Sequence, residues 1–190
     1  MAESIDTKYE NLSQREHILK RMNLYLGSKN ETENPVWILN KVNNQLEKET
    51  ISYSIALINA IFEVFQNAVD HCLRTKSIKG LNKCDTIKLN FNKETGEISL
   101  YNNGQGIKVE KFNNTNQYII EVIFSEYLSG SNFNNDADIK IGANGLGIKL
   151  LNTISDYFIV ETSDAINKMY YTQKFEQNNS IKNKPIIEKF

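Results

Sequence analysis

The run LINAIFEVFQNAVDHCLR, residues 57 to 74, constrains the fold more than any other stretch. Glu63, Asn67, Asp70 and Arg74 stand at i, i+4, i+7 and i+11. At about 100° per residue these four polar groups share one narrow arc of a helix. Leu57, Ile58, Ile61, Phe62, Val64, Phe65, Ala68, Val69, Cys72 and Leu73 take up most of the rest. Such a helix is expected to be buried over most of its girth, which requires a covering layer. Its polar stripe then faces a groove, because burying polar groups unpaired is costly. Two carboxylates, an amide and an arginine suit a magnesium-bound polyphosphate and a base that activates water.

The chain has 190 residues, 40% of them hydrophobic, enough for one globular domain with a core. Its formal net charge of -1 and pI near 6.2 argue against a surface that grips duplex DNA by its phosphates. Cys72 and Cys84 form no metal-ligand spacing, so reduced thiols in an intracellular compartment are the expectation. No apolar run approaches the roughly 18 residues of a membrane span, and the N-terminus MAESIDTKYE does not read as a signal peptide.

Residues 1–12 are polar and read as extended. Ser13 with Glu16 forms a capping box for a short helix in SQREHILKR. Residues 27–34 read as loop and VWIL, 36–39, as a strand with a return strand after it. The long helix is expected to begin near Ser52. Asp85 to Asn92 alternates as a half-buried strand, turns at Lys93 to Gly96 and returns as EISLYN. Ile119 to Leu128 has helical spacing. The long polar stretch SGSNFNNDADIKIGANGLG follows, and loops of that length in compact domains are usually functional or disordered. Gly147 to Ser155 reads as a helix. YFIVETS and KMYYTQKF pair as a hairpin across Asp164 to Asn167, and the tail is weakly patterned.

Two glycine motifs join the helix. NNGQGI, Asn102 to Ile107, follows a strand, and Asn-Gly alone is a common hairpin turn. Gly104 and Gly106 also allow a flat ligand to approach the backbone, and the Asn103 side-chain oxygen can accept from the amine of an adenine. GANGLGIK, Gly142 to Lys149, opens a helix. Its glycines let backbone N–H groups converge on an anion, and Lys149 adds a cation. It is neither a Walker loop nor a dinucleotide fingerprint.

In this order, the three motifs resemble those of the GHKL ATPases: gyrase-type topoisomerases, ninety-kilodalton heat-shock chaperones, sensor histidine kinases and mismatch-repair ATPases. YENLSQREHILKRMNLYLGS, IFSEYLSGSNFNND and ANGLGIKLLNTIS are similar to the strap, lid and phosphate loop of the eukaryotic and viral type IIA topoisomerase branch. The resemblance runs from about Tyr9 to the C-terminus. It implies an α+β fold, a two-layer α/β sandwich with a mixed β-sheet and helices on one face. It implies a strap and short helix over 1–30 and an ATP-binding domain over 31–190.

Carried over by position, Glu63 resembles the general base and Asn67 the magnesium ligand. Asn103 resembles the adenine reader beside Gly104 and Gly106. Asp70 and Arg74 line the nucleotide site, and Ser131 and Asn132 resemble lid residues that reach ribose and phosphates. Gly142, Asn144, Gly145, Gly147 and Lys149 resemble the phosphate loop, Lys149 with a catalytic part. Tyr9 resembles a strap residue that reaches the neighbouring subunit. The chain departs from the family at Met22 and Asn23 in place of Pro-Asp, at Ile141 and Ala143 in place of Gly and Arg, at Leu146 for an aromatic, and at His71 for Asn.

The implied cofactors are ATP and Mg2+. The implied partners are a second copy in the intact protein and DNA, through domains outside this chain, with no membrane. The implied location is intracellular: nuclear in a eukaryote, cytoplasm or viral factory in a virus. The transducer and DNA-cleavage domains have no counterpart here, so the chain is expected to be an excised fragment or a truncated relative that alone binds ATP weakly and hydrolyses it almost not at all. A chaperone or histidine-kinase ATP module and a non-catalytic regulatory module remain as alternatives.

Overall fold

The computed structural model describes residues 10–77, 79, 83–113, 115–127, 129 and 146–190. The chain divides into two compact units, Met1–Ile61 and Phe62–Phe190.

In the first unit, α1 (Gln14–Lys20) starts at the expected capping box. The Ser13 N–H donates to Glu16 Oε2 at 2.8 Å, and the Glu16 N–H donates back to Ser13 Oγ at 3.3 Å. The short helix α2 (Met22–Tyr25) follows, and Tyr25 Oη lies 2.7 Å from His17 Nδ1. Strands β1 (Glu31–Asn40) and β2 (Gln45–Ser54) form an antiparallel hairpin in register from Glu31 with Ser54 to Asn40 with Gln45. Strand pairing therefore claims residues 31–34, read as loop, and residues 52–54, read as helix. Helix α3 (Ile55–Arg74) begins in this unit, where Asn59 Nδ2 donates to the Leu26 carbonyl at 2.8 Å.

α3 is not buried over most of its girth. Its fully buried positions are small: Ala56, Ala60 and Ala68. In the second unit Phe62 is 54% exposed, Phe65 38% and Leu73 59%. The buried positions are alanines, while Phe62, Phe65 and Leu73 stay exposed.

The second unit adds the hairpin β3 (Ile87–Asn92) and β4 (Glu97–Asn102), then α4 (Ile119–Ser125) and α5 (Gly147–Ile154). Strands β5 (Tyr157–Asp164) and β6 (Met169–Glu176) pair antiparallel. The weakly patterned tail supplies β7 (Ile181–Lys182) and β8 (Ile186–Lys189), both on β6. Every strand pairing among the described residues is antiparallel, and those strands fall into three sheets. Consecutive strands joined by tight turns need only hairpins. The α+β class stands.

The core of this unit is the face of β5 and β6 covered by α4. Val109, Ile120, Val160, Tyr171 and Phe175 are buried together, with Phe124 and Phe158 packed against them. The rings of Phe124, Phe158 and Phe175 follow one another at 6.0 and 6.3 Å. Behind them Asn152 Nδ2 donates to the Phe124 carbonyl at 3.0 Å and ties α5 to α4. This layer fixes the first residue of α5, where the candidate site is built.

Candidate functional site

The polar stripe of α3 begins with Glu63, half-buried in the second unit. Burial raises its pKa above the ordinary carboxylate range. No hydrogen bond or ion pair among the described residues offsets that burial. A Cβ added at Gly147 would sit 2.3 Å from Glu63 Oε2, so the carboxylate occupies the space that glycine leaves open at the first turn of α5. Two motifs that lie far apart in sequence thus meet: the acid of the stripe and the end of the glycine loop.

One turn further along, Asn67 is exposed and its Nδ2 donates to the Glu63 carbonyl at 2.7 Å. That bond engages the nitrogen and not the amide oxygen. Asp70 is half-buried and burial raises its pKa, against the opposing charge of exposed Arg74. His71 is held neutral, its pKa lowered first by burial and then by Arg74. Its Nε2 is buried without a partner among the described residues. A Cβ on Gly104 would lie 2.9 Å from that nitrogen.

The NNGQG segment leaves β4 with Gly104 at φ 121° and Gly106 at φ 73°, conformations that disfavour side chains. Asn103 is spent inside this turn. Its Oδ1 accepts from the Asp85 and Thr86 N–H groups, both at 2.9 Å, and its Nδ2 donates to Asp85 Oδ1 at 2.9 Å. The oxygen expected to read adenine is therefore occupied. Its neighbour Asn102 donates from Nδ2 to the Asn103 carbonyl at 3.0 Å, and nothing among the described residues donates to its oxygen. Sequence alone does not separate two adjacent asparagines; strand register does, since Asn102 closes β4 opposite Ile87.

Lys149 is 2% exposed on α5, and burial lowers its pKa to about 8, with Glu126 opposing. It remains cationic at neutral pH. Its Nζ donates to the Ser129 carbonyl and, at 2.8 Å, to Ser129 Oγ. The amine thus holds the start of the polar segment read as a lid. Tyr9, Ser131, Asn132, Gly142, Asn144 and Gly145, and the departures at Ile141 and Ala143, lie outside the described residues.

The structure also joins Cys72, in the last turns of α3, to Cys84 just before β3 as a disulfide with a Cα–Cα distance of 4.5 Å. The sequence spacing gave no sign of this pairing and pointed to free thiols.

Residues 53–169 match the model of the family described as histidine kinase-, DNA gyrase B-, and HSP90-like ATPases. The chain belongs to this family. Within these ATPases it is similar to DNA topoisomerase 2 proteins. That of Caenorhabditis elegans is 38% identical over 188 residues, 98% of this chain and 12% of the relative. That of Penicillium chrysogenum is 34% identical over 177 residues, 92% of this chain and 11% of the relative. The chain therefore spans about one-eighth of the length of such relatives. Among solved structures, the ATPase region of Saccharomyces cerevisiae topoisomerase II aligns with a TM-score of 0.90 at 35% identity, covering 97% of this chain and 48% of that one. The ATPase and transducer domains of topoisomerase II from Balamuthia mandrillaris align with a TM-score of 0.91 at 30% identity, covering 98% and 46%.

Proposed function

We propose that this chain binds and hydrolyses ATP as the nucleotide-binding part of a type IIA topoisomerase of the eukaryotic and viral kind. Its ATP cycle would drive dimerisation of an N-terminal gate, with DNA handled by other domains, inside the cell. The observation that carries this reading is the seating of the Glu63 carboxylate against Gly147, which sets a carboxylate without a hydrogen-bond or ion-pair partner among the described residues at the first residue of α5.

The chemistry follows from positioning and electrostatics, as in phosphoryl transfer generally. Glu63, ionised, takes a proton from a water in line with the terminal phosphate. Asn67 would offer one amide oxygen to a bound magnesium ion. The donor set fits that ion, which keeps several waters and is commonly held by one or two protein oxygens together with phosphates. Among the described residues no cluster of three or more His, Cys, Asp or Glu offers a metal cage. Bound magnesium would supply neutralisation of phosphate charge. Lys149 holds the base of the lid through Ser129 and adds positive charge near the phosphates.

The adenine is assigned to Asn102, whose oxygen accepts no hydrogen bond among the described residues, in place of Asn103. Asn102→Ala is expected to raise the ATP dissociation constant by roughly 2- to 10-fold, the value of one net hydrogen bond, and to blunt the preference for ATP over GTP. Asn103→Ala is expected to act on stability, by about 0.5–1.5 kcal/mol, the net value of a typical hydrogen bond, because the Asp85 and Thr86 N–H groups lose their acceptor. Parallel nucleotide titrations and urea melts check both. Loss of base preference in the Asn103 variant alone would reverse the assignment.

A further inference from the structure

We propose that Cys72 and Cys84 are a reversible thiol–disulfide pair that sets how tightly the nucleotide site holds ATP. The inference rests on reading the Asn102–Gly104 turn as the adenine wall.

The bond joins two elements that share this wall. Cys84 is 3% exposed, and a Cβ on Gly104 would lie 3.3 Å from its Cβ. Its backbone N–H donates to Thr75 Oγ1 at 3.0 Å, and that hydroxyl donates to the His71 carbonyl at 2.9 Å. The next two residues, Asp85 and Thr86, bond to the Asn103 amide. The end of α3, the approach to β3 and the NNGQG turn therefore form one braced unit, with the sulfur bridge as its covalent member. The bridge closes a loop with a sequence separation of 12, and cross-linking removes open conformations of such a segment. Opening it frees the segment that positions the Asn103 amide, and through it the backbone beside the adenine.

Location makes the pair a switch. Disulfides in reducing compartments are usually transient or redox-sensing. Cys72 is only half-buried, so a small disulfide reaches it first, while Cys84 is enclosed. The Cys72 thiolate attacks glutathione disulfide, giving a mixed disulfide and releasing one glutathione thiolate. The Cys84 thiolate then attacks the Cys72 sulfur, closing the bridge and releasing the second. Two protein thiols are oxidised, one glutathione disulfide is reduced to two thiols, and the two cysteine protons pass to the released glutathiones.

The test is a calorimetric titration of the full chain with a non-hydrolysable ATP analogue and magnesium. The protein is equilibrated with glutathione disulfide or with reduced glutathione, and its bonding state is read by differential alkylation and mass spectrometry. Reduction is expected to weaken binding by about 5- to 20-fold, at the low end of typical couplings between sites. The double variant Cys72→Ser, Cys84→Ser should match the reduced protein and ignore the oxidant. Comparison of the two states of the unsubstituted chain needs no variant to fold. Equal affinity in both states overturns the proposal, as does a redox response that survives in the double variant. Absence of binding in both states removes the nucleotide reading itself, and is distinct from equal binding.

Discussion

Glu63→Gln is expected to slow ATP hydrolysis by roughly 10²–10⁴-fold while leaving ATP binding nearly unchanged, the pattern of a lost general base. The amide keeps the shape of the carboxylate in the space beside Gly147 but cannot take a proton. Single-turnover phosphate release, with a nucleotide titration beside it, separates the two effects. The pH profile gives a second signature. Burial raises the Glu63 pKa, so hydrolysis should fall as pH drops through that raised value, and the Gln variant should lose this acid limb. The sign for stability runs the other way. A carboxyl with a raised folded pKa favours folding in its protonated form. That advantage is present below the ordinary carboxylate range and is lost as pH rises through the folded value. The Gln variant should therefore be no less stable than the parent at neutral pH. Unchanged hydrolysis in the variant would remove Glu63 from the mechanism.

Gly106→Ala should produce the largest loss of stability, about 3 kcal/mol or more, at or beyond the upper end of what single substitutions ordinarily cost. Two effects add. The residue has φ 73°, where a side chain is strained, and the new Cβ would lie 2.0 Å from the Ser163 carbonyl oxygen. That oxygen is backbone on β5 and cannot rotate away. Moving the turn would break the bond from the Ile107 N–H to Thr162 Oγ1, 2.9 Å, and that from the Ala165 N–H to the Gln105 carbonyl, 3.2 Å. Gly96→Ala is the control: φ is 71° there, with nothing within 4 Å of the added carbon. It should cost only the backbone strain, roughly 1–2 kcal/mol. Urea denaturation midpoints of the two variants compare them directly, and equal losses would mean that close approach to β5 contributes nothing.

Much of the fold was legible because its signals are local. The Ser13 capping box, the β3–β4 hairpin and the β5–β6 hairpin each announce themselves within a few residues. The candidate motifs were visible in the sequence, and the structure sets Glu63 of the first beside Gly147 of the last. What failed depended on which groups find each other in space. The apolar girth of α3 suggested burial, yet alanines line its buried side while Phe62, Phe65 and Leu73 face outward. Asn103 carries the right chemistry for a purine, but two backbone N–H groups claim its oxygen. Cys72 and Cys84 meet only because α3 ends beside the approach to β3. The strands of the tail are short, and β6 rather than any pattern of their own recruits them.

The central claim is that α3 and the glycine turns form a magnesium-dependent ATP site, and calorimetric titration of the chain with ATP, with and without magnesium, measures it directly. Asn67 supplies an exposed amide oxygen with its nitrogen already engaged. Magnesium should therefore tighten ATP binding in the unsubstituted chain. In Asn67→Ala that gain should shrink, with the magnesium-free affinity preserved. Absence of ATP binding, or equal loss of affinity in both conditions on substitution, would contradict the account.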